Sequence, residues 1–313
     1  GATRAFANGF GESDKSSFAL YDLRLDIPLF SNLNMSIGKQ KEPISLERMT
    51  MLLFLPMQER SAASDALLTV RNWGIVFNGV MFGGRSSWAV GAFNNWVDSG
   101  ESFGDNSYQF TGRTTGLPYL SADESNLLHL GLGLRFSNIK TQINGITEAE
   151  FYQSPVFVET GLFDAEALFT YNLEAFWRRG PIMLGGEYTG GNVNSSDRDN
   201  PRVHGYNVGV SWVITGEMRT YRKKSGIFNP VPVSKPVNTG GWGAWEVAFR
   251  YSTLDLSDGS LDGGVMDTYS FGLNWWLTPR AQFSPNYRYI VLDRFGVKGK
   301  SSGINIRLSF ILD

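Results

Sequence analysis

The residues best suited to recognise a small ligand are cations in one stretch, KQKEPISLERMTMLLFLPMQERSAA, from Lys39 to Ala63. It contains Lys41, Arg48 and Arg60, and Arg71 follows it closely. The planar guanidinium of arginine can form two parallel hydrogen bonds to a phosphate or carboxylate group, whereas the ammonium of lysine is a compact charge. The stretch therefore predicts contact with small anions, phosphate among them.

Two further arginines, Arg24 and Arg135, complete the predicted anion-binding set. Carboxylates near the same cations offer an alternative set of partners: Asp22, Glu42, Glu47 and Glu59. Pairing with them would hold the stretch in place and leave selectivity weak. The sequence leaves both possibilities open.

Other kinds of site have little support. The chain has no cysteine and two histidines, His129 and His204, so neither a metal site nor a cofactor site is predicted. A serine hydrolase would need a nucleophile beside a base, and His129 is the only histidine inside a strand-like segment. We therefore predict no catalytic residues and no enzyme activity. The net charge of -2, without a basic block, also argues against nucleic acid as a partner.

The elements that must position these cations are long strands. In AEALFTYNLEAFWRR, Ala165, Phe169, Tyr171 and Trp177 alternate with polar side chains that include Glu166, Asn172, Glu174 and Arg178. A period of two indicates a strand with two different faces. The segments YNVGVSWVI, LLHLGLGLRF, WEVAFRYS and INIRLSF repeat this pattern. We expect the apolar face to contact lipid and the polar face to line water.

A soluble β-sandwich also alternates, but three features favour a membrane barrel. The strands approach the ~9–11 residues of membrane-spanning strands. Tryptophans lie near predicted strand ends, as girdles do, at Trp73, Trp88, Trp96, Trp242 and Trp276. Tight turns near Pro28 and Thr278 contrast with long polar stretches at 98–126 and 216–241, which predicts short turns on one side and long loops on the other.

The predicted fold is all-β: a transmembrane antiparallel β-barrel of about 14–16 strands, forming a single domain over residues 1–313. Fourteen candidate strands include 127–138, 151–160 and 165–179. The longest apolar run, Met49–Met57, is too short for a membrane helix, which needs ~20 residues. We expect the segment of about residues 40–70 to fold inward, bury Met51 to Leu55 against the wall and constrict the pore.

The inward faces of the predicted strands carry balanced charge. The basic candidates are Arg24, Arg135, Arg178, Arg250, Arg288 and Arg307, and the acidic candidates are Asp22, Asp26, Glu166, Glu174, Glu187 and Glu246. Equal numbers predict no net ion selectivity. Any preference must come from where the charges lie.

Two blocks resemble a known family. SIGKQKEPISLERMT, from Ser36 to Thr50, resembles the Lys-Glu-Pro block of the phosphate-selective porin O and P family. GIFNPVPVSKPVNTGGWGAWEVAFRYSTLDL, from Gly226 to Leu256, and the following FGLNWWLTPRAQFSPNYRYIVLDR resemble its C-terminal portion. The resemblance spans residues 17 to 313. It implies a trimeric, typically sixteen-stranded outer-membrane channel for anions such as phosphate or polyphosphate, so two N-terminal strands could be missing here.

The leading prediction is therefore a homotrimeric porin of the bacterial outer membrane, in contact with lipid, for passive diffusion of small anions. A weakly selective general porin is one alternative. A structural barrel plugged by its loops or a partner, within a larger envelope complex, is another. The sequence does not separate a constriction from a plug.

Overall fold

The computed structural model describes residues 4–8, 17–99, 102, 104–140, 142–148, 150–151 and 154–311, with side chains from Asp22 onward. Fourteen antiparallel strands pair in chain order in one sheet. The strands are β1 (Arg4–Asn8), β2 (Ser17–Phe30), β3 (Leu33–Gln40), β4 (Asn72–Met81), β5 (Ser86–Asn94), β6 (Tyr108–Leu120), β7 (Asn126–Asn138), β8 (Ala167–Arg179), β9 (Ile182–Asn194), β10 (Arg202–Val213), β11 (Ala244–Asp258), β12 (Leu261–Thr278), β13 (Ala281–Arg294) and β14 (Val297–Phe310). The predicted all-β class is confirmed, and the fourteen sheet strands among the described residues lie within the predicted range of about 14–16.

The two faces of the sheet are apolar outside and polar inside. On β8, Phe169, Leu173 and Trp177 are 40%, 49% and 37% exposed, whereas Thr170 and Asn172 are fully buried. This pattern is the reverse of a soluble protein, because the exposed face is the apolar one.

The face assignment fails just before β8. Ala165 is buried and Glu166 is exposed, the opposite of the prediction. The strand begins only at Ala167, so the alternation of the sheet does not govern the two residues before it.

The predicted strand at 151–160 is wrong, and one strand was missed. Within the described part of that segment, only Val158–Glu159 pairs, with Ile146–Thr147, in a separate two-stranded ladder. The missed strand, β6, lies inside the stretch predicted to be a long loop. Its outward positions after Phe110 are Gly112 and Thr114, so it lacks a continuous apolar face.

Two of the long inward connections enter from opposite ends of the sheet, and a third, residues 139–166, joins β7 to β8 and places Val158 and Phe163 in the interior. Tight turns join β2 to β3, β8 to β9 and β12 to β13 at one end. Strand alternation places residues 214–243, which join β10 to β11, at that same end, and residues 41–71 at the other. The tight turns and residues 214–243 each follow an even-numbered strand, so they lie at the same end of the sheet. The expectation that 216–241 lies opposite the tight turns is therefore wrong.

The connections contain the helical turns of the protein. The short helices are α1 (Leu46–Met49), α2 (Ala62–Leu67) and α3 (Trp96–Ser99), and the 3₁₀ turns are Leu52–Phe54, Phe82–Gly84 and Val237–Thr239. Ser45 caps α1, because its hydroxyl accepts a hydrogen bond from the Arg48 amide at 2.9 Å. Across the described residues, no helix has the length and apolar character needed to traverse a membrane.

The inward connections build the interior of the molecule. In α2, Ala62 and Ala63 pack with Val193, Val203 and Leu254 of the wall. Leu46 of α1 packs in a cluster with Leu127, Ile227 and Phe228, so the two connections meet.

The apolar run of the first connection is only partly buried. Leu55 and Met57 are buried, whereas Met51 to Phe54 are half-buried. Phe54 packs with Val213 and Trp276. Trp276 is therefore an inward residue, 2% exposed, and not part of a lipid-facing girdle as predicted. Its neighbour Trp275 takes that role and stacks on Trp245 with a 4.9 Å centroid distance.

Candidate functional site

The connection of residues 41–71, hereafter loop 41–71, lies directly on inward-facing glycines of the wall. A methyl group at Gly133 of β7 would stand 1.9 Å from the Ile44 carbonyl oxygen, and one at Gly205 would stand 2.7 Å from Ala63 Cβ. The backbone can approach this closely only because these wall positions lack a side chain.

Buried ion pairs fasten the same loop. Glu47 accepts hydrogen bonds from the Ser61 amide at 3.0 Å, the Ser61 hydroxyl at 2.7 Å and Arg250 at 3.0 Å. Arg250 also donates to Glu150 at 2.6 Å, and Glu150 accepts from the Ala62 amide at 2.9 Å. Loop 41–71 is thereby joined to β11 and to the connection that contains Glu150.

Three of the predicted anion-binding residues are paired with carboxylates. Arg135 Nε donates to Glu42 at 2.8 Å. Arg71 donates two hydrogen bonds to Asp22, both at 3.0 Å. Arg24 Nε lies 3.1 Å from Asp26 Oδ1, and both side chains are exposed. Arg135 and Arg71 thus pair with carboxylates that the sequence analysis named as alternative partners, whereas Arg24 pairs with Asp26, which was not among them.

The other three predicted residues donate to backbone carbonyls of their own loop, and Arg48 also lies 3.7 Å from Asp65 Oδ1. Arg48 donates to Ser64 O at 2.6 Å and Leu68 O at 2.7 Å. Arg60 donates to Glu47 O at 3.3 Å and Thr50 O at 3.1 Å. Lys41 Nζ donates to Met49 O at 3.1 Å and Thr50 O at 2.9 Å.

Crowding of these cations changes their acidity. Burial, followed by the nearby charges of Arg60 and Arg71, lowers the pKa of Lys41 to about 7. Burial and Arg60 lower the pKa of Arg48 to about 10. Lys41 is therefore the one cation of the predicted set whose charge changes near neutral pH.

The second inward connection, residues 214–243 and hereafter loop 214–243, contains functional residues that the sequence analysis missed. Arg219 donates to both oxygens of Glu246 at 2.9 and 2.8 Å. Arg113 of β6 donates to Glu174 at 2.7 Å through two nitrogens and to the Ser225 carbonyl at 2.8 Å. Arg113 was missed because β6 was missed. The basic run RTYRKK within the loop was the available signal for the loop cations.

His129 joins loop 214–243 to the wall. Its Nε2 donates to Glu174 at 2.8 Å, since that carboxylate is an acceptor held by Arg113. Nδ1 then accepts from the Tyr221 hydroxyl at 2.6 Å. Burial raises the pKa of Tyr221 to about 12, so this hydroxyl remains a donor. Both ring nitrogens of His129 are occupied by structural bonds.

A cavity of about 420 Å³ lies between the two loops and the wall of β2 to β6. We call it the basic cavity. Its charged lining residues are Arg24, Asp26, Lys41, Arg113, Arg222 and Lys224. Arg24 and Arg113 are neutralised by Asp26 and Glu174. Among the described side chains, no carboxylate forms an ion pair with Lys41, Arg222 or Lys224, so the cavity is net positive. Arg222 and Lys224 are solvent-exposed.

Negative charge collects elsewhere. A second cavity, of about 260 Å³, is lined by Glu59, Arg60, Asp65, Glu148, Glu150 and Phe151. Burial raises the pKa of Glu59 there. In the described part of the chain, no group of three or more acidic or histidine side chains is arranged to hold a metal ion. The balanced charge of the sequence is thus divided in space into a basic and an acidic region.

Comparison with known proteins identifies the class. The solved outer-membrane channel DcaP of Acinetobacter baumannii superposes with a TM-score of 0.57 at 10% identity, covering 98% of this chain and 78% of that one. The trimer form of the outer-membrane protein OmpT of Vibrio cholerae superposes with a TM-score of 0.55 at 10% identity, covering 96% and 83%. The fold is that of an integral β-barrel protein of the bacterial outer membrane.

The particular family follows from the sequence comparison. The model of the phosphate-selective porin O and P family matches residues 4–294, and the chain belongs to this family. It is 27% identical over 266 residues to an uncharacterised protein of Caulobacter vibrioides, covering 80% of this chain and 52% of the relative. It is 23% identical over 303 residues to Porin O of Pseudomonas aeruginosa, covering 82% and 65%. The chain thus spans about half to two thirds of the length of these relatives.

Proposed function

We propose that this protein is a passive channel for small anions, with the basic cavity as the selective part of its pathway. The observation that carries the proposal is the set of three cations without carboxylate partners, Lys41, Arg222 and Lys224, around one solvent-connected cavity. Cations lining a narrow aqueous space attract anions and exclude other cations. Phosphate is one candidate solute, because the family name points to it.

Of the predicted set, Lys41 and Arg24 line the basic cavity, and Lys41 is the one without a carboxylate partner. Arg48, Arg60, Arg71 and Arg135 act in this proposal mainly by holding loop 41–71, since protein atoms occupy their donors. The positive charges of Arg48, Arg60 and Arg71 still contribute to the electrostatic field around Lys41.

A catalytic role does not suit the interior. His129 has both nitrogens engaged, so neither is available to take a proton from a serine. We propose a homotrimer as the working assembly. The trimer form of OmpT, which has a similar fold, supports this proposal.

The zero-current potential across a planar bilayer under a KCl gradient tests the proposal. We expect anion selectivity in the native protein and a lower chloride-to-potassium permeability ratio in the double variant Arg222→Gln/Lys224→Gln. A charge ~8 Å from a passing ion contributes ~0.5 kcal/mol in water, or about twofold per cation removed.

Lys298→Gln/Lys300→Gln is the matched control. It removes two positive charges from exposed positions on β14, outside the basic cavity. Equal effects of the two double variants, or a potential near zero in the native protein, would favour a weakly selective general porin. Absence of conductance would instead support a barrel plugged by its inward loops.

A further inference from the structure

We propose that the basic cavity prefers organic anions with an apolar body, such as aliphatic monocarboxylates, over inorganic phosphate. The inference rests on the proposed anion-channel function and names its substrate class. It starts from the apolar part of the lining of the same cavity, Pro28, Pro43, Met49, Val76 and Ala89, which lies beside polar residues such as Asn34, Gln40 and Asn78.

Elsewhere on the inward face of this sheet, apolar side chains pack against the inward connections. Val193, Val203 and Leu254, for example, pack with Ala62 and Ala63 of α2. In the wall of the basic cavity, by contrast, β4 presents Val76 and β5 presents Ala89 on adjacent strands. An inward apolar surface in a water-filled space favours a solute that covers it.

Charge and apolar surface meet at Lys41. Its ammonium lies 3.1 Å from the carbonyl oxygen of Met49. Met49 itself is half-buried and lines the cavity. A carboxylate at Lys41 would therefore place its hydrocarbon body against Met49 and Val76. A solute with one charge and one apolar end matches this arrangement.

Inorganic phosphate matches it less well. Recognition of phosphate relies on several converging donors, best supplied by free arginine forks. Two of the three arginines lining the cavity, Arg24 and Arg113, already bind carboxylates, and Arg222 Nε donates to Asn229 Oδ1. A compact and strongly hydrated ion would also leave the apolar wall exposed to water.

Block of the chloride current by acetate, butyrate, hexanoate and phosphate, each added to the reconstituted protein, tests the inference. We expect block to strengthen along the carboxylate series, by up to about fourfold per methylene group that becomes fully buried. Hexanoate should block more strongly than phosphate. Hexan-1-ol, which has the same tail without the charge, should not block.

Met49→Gln and Val76→Thr are the informative variants, because each makes one part of the apolar wall polar. Both should weaken the block by hexanoate and leave that by phosphate unchanged. Met51→Gln is the matched control, since Met51 is half-buried in the same loop but does not line the cavity.

The outcomes separate the two proposals. An anion-selective channel that is blocked best by phosphate, or equally by all carboxylates, overturns this inference and leaves the anion channel standing. Equal effects of Met49→Gln and Met51→Gln, or block by hexan-1-ol, also overturn it. A channel without anion preference overturns both.

Discussion

At the scale of the residue, Lys41 is the predicted cation whose position matters most. It is the member of the predicted set that lines the basic cavity without a carboxylate partner. Its depressed pKa of about 7 follows from burial among other cations, because both effects disfavour the charged form.

The proposed anion preference should depend on pH through Lys41. The ammonium is protonated below about pH 7 and neutral above it. We expect the chloride-to-potassium permeability ratio to fall by about twofold between pH 6 and pH 8, the effect of one charge at ~8 Å. The zero-current potential measured at both pH values checks this.

Lys41→Met should remove that pH dependence and hold the ratio at its high-pH value. Lys140→Met removes a lysine outside the cavity and should leave the dependence intact. A native protein whose ratio is constant from pH 6 to pH 8, or a Lys41→Met variant that keeps the full change, would contradict the role given to Lys41.

At the scale of the element, loop 41–71 depends on the shape of the wall beneath it. Gly133 lies under Ile44. A methyl group placed on Gly272 of β12 would stand 3.2 Å from the Met57 sulfur and 3.3 Å from the Pro56 carbonyl oxygen. The short contact at Gly133 leaves no room for a side chain, whereas Gly272 has slightly more space.

Gly133→Ala should therefore displace loop 41–71 from the wall. We expect a destabilisation of about 1–3 kcal/mol, typical of overpacking, and a changed single-channel conductance. Urea unfolding in detergent and conductance in planar bilayers measure the two effects.

Gly112→Ala is the control for Gly133→Ala. Gly112 is also in the sheet, but a methyl group there would meet Val90 at an ordinary 3.8 Å. Similar behaviour of the two alanine variants would show that the loop does not rest on Gly133 as described.

Loop 214–243 is anchored to the wall by a buried ion pair, Arg219–Glu246. Glu246→Gln leaves Arg219 buried without its carboxylate partner, 3% exposed. Breaking a buried pair in this way costs about 3–5 kcal/mol. We expect a lower urea midpoint than in Glu217→Gln, which changes a half-buried carboxylate of the same loop. Equal midpoints would argue against the anchor.

At the scale of the whole molecule, the sheet separates lipid from the interior. Leu173 lies at the middle of β8 on the outward face and is 49% exposed. Asn78 lies on the inward face of β4 and lines the basic cavity. The same substitution at these two positions tests the assignment of the faces.

Leu173→Arg should cost about 2–4 kcal/mol, because it places a charge in the hydrocarbon layer. Asn78→Arg should refold normally into lipid vesicles and increase the anion preference. Refolding yield, unfolding free energy and zero-current potential provide the comparison. Equal tolerance of both substitutions would refute the face assignment.

Much of the fold was readable from the sequence, because alternation is a local property. Segments such as that around Phe169 and Asn172 carry their two faces within a few residues, so strand, lipid face and all-β class followed directly. The same logic failed where alternation was weak: β6 has glycine and threonine at outward positions and was missed. The stretch 151–160 contained apolar residues that pack inside the molecule.

The candidate site needed the tertiary structure, because charge pairing is decided by partners distant in the chain. The sequence alone identified Lys41, Arg48, Arg60, Arg71, Arg24 and Arg135 as cations and predicted that they lie near a constriction. Only the fold decided that Arg135 meets Glu42 and Arg71 meets Asp22, while Arg222 and Lys224 enter from the opposite end to join Lys41. The electrostatic field in the cavity depends on the distances between charges in space, and the separation of residues along the chain does not specify those distances.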